Sequence, residues 1–192
     1  ISALAAGGAG RRTNERANER ARGPRPRTRR VAAGVRREAR GGGGAAAGLA
    51  LSACGPSKKA QENLAVADAF MAKNAKEPGV VTLPEGLQYK VVASGPAGGV
   101  HPDRNDLARV DYEGSLTDGT VFDSSFKRNA PATFQLNRVI PCWTQGLQTM
   151  KVGGKATLTC PPATAYGERG AGGVVPPNAT LTFEVELLAI GN

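Results

Sequence analysis

The 192-residue chain has one histidine, one tryptophan, two methionines and three cysteines, and no run of eighteen or more apolar residues. Each shortage removes a class of protein. His101 stands alone beside Pro102, so no Ser–His or Cys–His nucleophilic couple can be assembled. There is no Cys-x-x-Cys, no histidine cluster and no repeated carboxylate spacing, which leaves a metal without an obvious ligand set. Gly170 to Gly173 precede Val174-Val175-Pro176-Pro177; this is a loop, not the strand-to-helix setting of a phosphate cradle. The missing apolar run excludes an ordinary membrane-spanning helix. If the protein is an enzyme, it is expected to work with no nucleophile, no metal and no organic cofactor.

Positive charge is plentiful but confined to one region. The formal net charge is +9, and residues 1–53, with 12 Arg and 3 Glu, carry all of it. Residues 54–192 hold 13 basic and 13 acidic side chains, and all nine aromatics lie there. A nucleic-acid-binding domain therefore loses its main electrostatic support. The first 53 residues contain 14 Ala, 10 Gly and few larger aliphatics, too little apolar surface to offset the cost of ordering, so disorder is expected there. A basic cluster, Arg36-Arg37-Glu38-Ala39-Arg40, is followed by small residues and then Leu49-Ala50-Leu51-Ser52-Ala53-Cys54. These are the parts of a secretory signal, and Leu51-Ser52-Ala53-Cys54 resembles the bacterial lipobox, in which the cysteine is lipidated. The four glycines Gly41–Gly44 make the apolar segment short. A disordered tail, an organellar transit peptide poor in serine, and a basic tail for nucleic acid remain as alternatives. The first residue is Ile; a start at Val35 would give a leader of ordinary signal length.

Ser57 to Asn74 reads as a helix. Ser57 suits an N-cap, Ala60, Leu64, Ala67 and Met71 recur at helical spacing beside Phe70, and Pro78-Gly79 stops the run. A helix of this length does not fold alone; it docks on the domain, pairs with another copy, or serves as a spacer between an anchor at Cys54 and the domain. From Leu83 the period changes to that of strands: Leu87–Val92, Ala108–Leu116, Val121-Phe122, Thr133–Leu136, Lys155–Cys160 and Thr180–Leu188. Trp143 to Met150 is the one short helical pattern among them. The expected class is α+β, an antiparallel sheet of about five strands wrapped around one short helix and preceded by one helix. The expected division is a leader over 1–53, an anchor and helical spacer over 54–82, and a strand-rich domain over 83–190.

Val110-Asp111-Tyr112-Glu113-Gly114 and Asp118-Gly119-Thr120-Val121-Phe122-Asp123-Ser124-Ser125 resemble the first half of the FK506-binding protein (FKBP) signature. Val139-Ile140-Pro141-Cys142-Trp143, Ala165-Tyr166-Gly167 and Val174-Val175-Pro176-Pro177-Asn178-Ala179-Thr180-Leu181 resemble the rest. The segment from Phe70 to Leu83 is similar to secreted bacterial members of the macrophage infectivity potentiator (Mip) branch. The resemblance implies a peptidyl-prolyl cis-trans isomerase of the cell envelope or periplasm that assists folding of exported proteins. It also implies a pocket with Trp143 as floor and Tyr112, Phe122, Val139, Ile140, Tyr166, Val174 and Phe183 as walls. Asp123 would stand at the rim, and the Ile140 N–H and Tyr166 hydroxyl would hold substrate carbonyls. Tyr112, Asp123 and Tyr166 are the candidate catalytic residues; Phe122, Val139, Ile140, Trp143, Val174 and Phe183 are the candidate substrate-binding ones. Ala132 falls where eukaryotic members have an aromatic, Cys142 where glycine is usual, and Ala171 at a loop tip that is often larger.

The implied partners are proline-containing flexible polypeptides, macrolides such as FK506, and a membrane reached through a lipid on Cys54, with no nucleic acid. A non-catalytic proline-peptide-binding module or holding chaperone is the alternative function. Cys142 and Cys160 are expected to be small packed thiols, Cys160 facing inward from a strand, with a disulfide in an oxidising envelope as the other possibility.

Overall fold

The computed structural model describes residues 57–191; the leader and Cys54, with the lipobox reading attached to them, lie outside the described residues. Helix α1 spans Lys58–Asn74, and the Ser57 side chain accepts a hydrogen bond from the Ala60 N–H at 3.2 Å, the cap its residue type favours. Strands β1 (Val80–Thr82), β2 (Gln88–Ala93), β3 (Leu107–Leu116) and β4 (Val121–Ser124) follow. A single helical turn, α2 (Ser125–Arg128), is capped by Ser124. After β5 (Ala132–Gln135) comes α3 (Pro141–Gln148), then β6 (Lys155–Cys160) and β7 (Leu181–Gly191).

The seven strands form one antiparallel sheet in the order β1-β2-β6-β7-β3-β4, with β5 also paired to β3. The strand not read beforehand is β1, too short at three residues to show alternation; β5 falls on the expected Thr133–Leu136 segment and shares the edge of β3 with β4. Along β7 the pattern is the one its alternation implies: Leu181, Phe183, Val185 and Leu187 are buried. They face α3, whose Cys142, Trp143, Gly146 and Leu147 are buried in turn. Gly146 marks where helix and sheet meet most closely. A Cβ there would come within 2.7 Å of Leu158 Cδ1 on β6, inside van der Waals distance.

Of the three arrangements open to α1, the structure shows docking. Asn63 Nδ2 donates to the Pro177 carbonyl at 2.7 Å, Gln88 Nε2 to the Met71 carbonyl at 2.9 Å, and Asn178 Nδ2 to the Ala60 carbonyl at 2.9 Å. Ala60 and Ala67 are buried against the domain, whereas Leu64, of the same expected stripe, is 43% exposed. Asn178 is buried at φ 53°, the left-handed region that asparagine tolerates better than most residues. Asn178→Ala is expected to cost about 1–3 kcal/mol through the lost buried hydrogen bond and to speed amide exchange along α1. Unchanged exchange there would remove the clasp from the account of docking.

The expectation of packed thiols is corrected. Cys142 and Cys160 form a disulfide, with Cα atoms 5.7 Å apart. Inward orientation of Cys160 was legible from strand alternation. What strand alternation omits is that the close approach of α3 to β6 at Gly146 also brings the start of that helix within bridging distance.

Candidate functional site

The site is built where β3, β4 and α3 converge. Tyr112, on the inward face of β3, is fully buried, and its hydroxyl donates to Asp123 Oδ2 on β4 at 2.6 Å. Arg128, at the end of α2, donates from Nη1 to Asp123 Oδ1 and from Nη2 to the Tyr112 hydroxyl at 3.0 Å. Its guanidinium carbon also lies 5.7 Å from the Tyr112 ring centroid, within cation–π range. The turn that brings Arg128 back is itself fixed. Ser125 Oγ accepts from the Tyr112 N–H at 2.8 Å and donates to Asp111 Oδ1 at 2.8 Å.

Trp143 lies beneath this network with none of its surface exposed. Its ring meets Tyr112, Phe134 and Phe183 edge to face at centroid distances of 5.2, 5.5 and 5.3 Å. Phe122 meets Phe183 the same way at 5.7 Å. The ring quadrupoles favour this geometry over stacking, and it fixes the indole on three sides. Among the described residues no acceptor meets Trp143 Nε1, so the indole contributes shape and apolar surface in place of a hydrogen bond within the chain. Gly114 lets the wall close: a Cβ there would meet Phe122 Cζ at 2.7 Å and Phe183 Cε1 at 2.8 Å.

Ile140 is the N-cap of α3, and its carbonyl accepts from the Trp143 and Thr144 N–H groups at 2.9 and 3.2 Å. Val139 and Ile140 belong to the same buried cluster as Trp143, with Phe122 and Tyr166 partly buried against it. Val174 differs: it is 52% exposed on the loop closed by the Ala171–Val175 bridge. Ala132 is half-buried. Thus eight of the nine sequence-designated residues gather in one place and Val174 stands at the surface beside them. Phe134 and Arg128 were not singled out beforehand. Phe134 lies on a strand with readable alternation, while Arg128 is placed by a left-handed Asn129 (φ 50°) that ends α2, which no periodicity shows.

Burial pushes the Tyr166 phenol up to about 12, with the negative charge of Asp123 and then Tyr112 adding to it. Burial likewise raises Tyr112, and its bond to Asp123 raises it further, against the opposing pull of Arg128. Both phenols are therefore protonated donors throughout the neutral range. The native state holds these protons above pH 10, where an unfolded tyrosine, with its ordinary value of 10.0, begins to lose them. The contribution of both to stability is complete below about pH 10; that of Tyr166 is lost as pH rises through about 12, and that of Tyr112 as pH rises through its own raised value. Ultraviolet titration is expected to find fewer tyrosinates in native than in denatured protein at pH 11; equal titration curves would contradict this environment.

A fully buried indole, a shell of apolar side chains and a rim of hydroxyl, carboxylate and guanidinium are brought together here, closed over so that Trp143 has no exposed surface. Comparison with known proteins identifies the family. Residues 98–188 match the family described as FKBP-type peptidyl-prolyl cis-trans isomerase, and residues 50–91 the domain amino terminal to FKBP-type peptidyl-prolyl isomerase. The outer membrane protein MIP of Legionella longbeachae is 47% identical over 133 residues, covering 69% of this chain and 56% of that protein. The FKBP-type 22 kDa peptidyl-prolyl cis-trans isomerase of Escherichia coli K12 is 52% identical over 121 residues, covering 63% and 58%. Among solved structures, FkpA from Escherichia coli superposes with a TM-score of 0.67 at 46% identity, over 70% of this chain and 62% of that one. A peptidyl-prolyl cis-trans isomerase from Pseudomonas syringae superposes with a TM-score of 0.65 at 37% identity, over 72% of this chain and 100% of that one. The chain belongs to the FKBP-type peptidyl-prolyl cis-trans isomerase family. It spans about half the length of the curated relatives it matches.

Proposed function

We propose that this protein accelerates rotation about X–Pro peptide bonds in flexible polypeptides. The observation that carries the reading is the Trp143 floor set directly beneath the Tyr112–Asp123–Arg128 network, an apolar slot with a polar rim. The barrier to be lowered is about 18–20 kcal/mol because the planar amide is resonance-stabilised. The twisted transition state has lost that resonance, and its carbonyl is less charge-separated. Surroundings that exclude water disfavour the planar form relative to the twisted one, so the slot binds the transition state preferentially. Trp143 has no exposed surface in this structure, so the side chains above it must part for a proline ring to rest on it beside Phe122 and Phe183; the Ile140 N–H and Tyr166 hydroxyl would then take the carbonyls on either side. Asp123 is held by Arg128 and Tyr112, which keeps its charge fixed beside the rotating amide. Uncatalysed isomerisation takes about 10–100 s, and turnovers of about 10–1000 per second would need roughly 3–7 kcal/mol of preferential binding. Differential solvation with one or two hydrogen bonds reaches that without proton transfer.

A protease-free isomerisation assay on a proline tetrapeptide tests the reading. Asp123→Asn is expected to lower kcat/KM about tenfold or more, since a charge-assisted contact is weakened. A fully active Asp123→Asn would remove the carboxylate from the site assignment, and peptide binding with no turnover by the unmodified protein would leave only the non-catalytic binding reading.

The site of action proposed is the cell envelope, with clients among exported proteins, and macrolides of the FK506 type as competing ligands for the same slot. Support comes from the names of the relatives, an outer membrane protein among them, and from the Leu51–Cys54 motif. Cleavage before Cys54 with lipid added to that cysteine is the corresponding expectation. The intact mass of native protein decides it: a non-lipidated mass that retains residues before Cys54 would overturn the anchor.

A further inference from the structure

We infer that the Cys142–Cys160 disulfide is a positioning device for the prolyl slot, acting through Ile140 and Trp143; this rests on the isomerase reading above. The bridge sits at the place in the fold where the slot is assembled. Cys142 is the second residue of α3, next to Trp143 and two residues after Ile140. Cys160 ends β6, where it pairs with Leu181 of β7. Beyond it Pro161 and Pro162 begin a tight turn, their carbonyls accepting from Thr164 and Ala165 at 3.0 and 3.1 Å, that delivers Tyr166. One covalent link therefore joins the segment carrying the floor and the backbone donor to the segment carrying the phenol.

The helix needs such a tie. It has only eight residues and no side-chain cap at its N-terminus, and a helix this short does not hold its own shape. Gly146 fixes its middle against Leu158, and Thr144 Oγ1 donates to the Leu136 carbonyl at 2.5 Å. The sulfurs hold the end that carries the donor. Both cysteines have no exposed surface, so a thiolate cannot reach the bond without the fold opening. Reduction by a small dithiol breaks the S–S bond, adds one proton and one electron to each sulfur, and leaves the reductant as its cyclic disulfide. In folded protein it is expected to be slow and to accelerate in moderate denaturant.

The test compares the oxidised protein with Cys142→Ala/Cys160→Ala, at a temperature where denaturation curves show both folded. Since displacement of a positioned group by an ångström can cost up to a hundredfold, a fall in kcat/KM of about tenfold, borne by kcat, is expected. Trp143 is the sole tryptophan, so indole emission reads the slot directly. It is expected to change in intensity and anisotropy, because the quenching disulfide is gone and the ring moves more freely. Cys142→Gly/Cys160→Val, which refills the strand side, should recover stability but not kcat. Unaltered kcat and Trp143 anisotropy in folded double variant would reduce the bridge to a stability staple and overturn the inference. Absence of turnover in the oxidised protein would instead overturn the isomerase reading, and anisotropy alone would then decide whether the bridge pins the helix.

Discussion

Trp143→Ala is expected to lower the free energy of unfolding by about 3–5 kcal/mol and to remove measurable prolyl isomerisation even where the variant remains folded. The two losses have separate causes. Stability falls because Tyr112, Phe134 and Phe183 each lose an edge-to-face partner and face a void that the sheet cannot close. Activity falls because the slot loses the flat surface against which a pyrrolidine ring rests, so ground and transition states are both bound poorly and water enters. Trp143→Phe separates them: it keeps an aromatic floor of smaller area, so part of the turnover should return along with part of the stability. Guanidinium denaturation monitored by circular dichroism, combined with the protease-free assay, checks both quantities. A folded Trp143→Ala with normal kcat/KM would mean that catalysis takes place elsewhere on the molecule.

The second large effect is on stability through the disulfide. Bridging residues 18 apart restricts the unfolded chain, and the loop-entropy model assigns about 3 kcal/mol to a closed loop of that size. Denaturation midpoints measured with the disulfide intact, and then after reduction in denaturant with the thiols alkylated, should differ by this amount. The slope with denaturant should be steeper for the reduced chain, whose unfolded state is more expanded. Coincident curves would show that the bridge leaves the unfolded ensemble unconstrained.

The fold was legible wherever side-chain period carries the information. Helix α1 begins after Ser57 and ends at Asn74, as its cap and spacing indicated, because local hydrogen bonding fixes both ends. The long alternation of β7 predicted its buried face residue by residue. Where tertiary geometry decides, the sequence was silent. Leu64 shares the helical stripe of Ala60 and Ala67 yet stays 43% exposed, since which part of the stripe meets the domain is set by where the helix docks. The three residues of β1 show too little alternation to be read. Tyr112, Asp123 and Trp143 were named through their motif context, and the structure gathers them. Arg128 was not, because nothing local distinguishes an arginine that folds back over Tyr112 from one that points to solvent. The disulfide stood only as the second possibility for the same reason: cysteine spacing along the chain says little about the distance between a helix start and a strand end.

The sheet terminates at β1, three residues long, and on the other side at β4 and β5, four residues each and paired end to end along β3, with β4 offset by a register shift. Any long bare border of main-chain donors and acceptors is a template on which an extended segment can stack, a hazard for a protein that, on the proposed isomerase reading, meets flexible polypeptides. Here an incoming strand finds only a few residues of open ladder at either border, too little to hold it. On the proposed isomerase reading, a bound chain would therefore engage by its proline ring and not as an eighth strand.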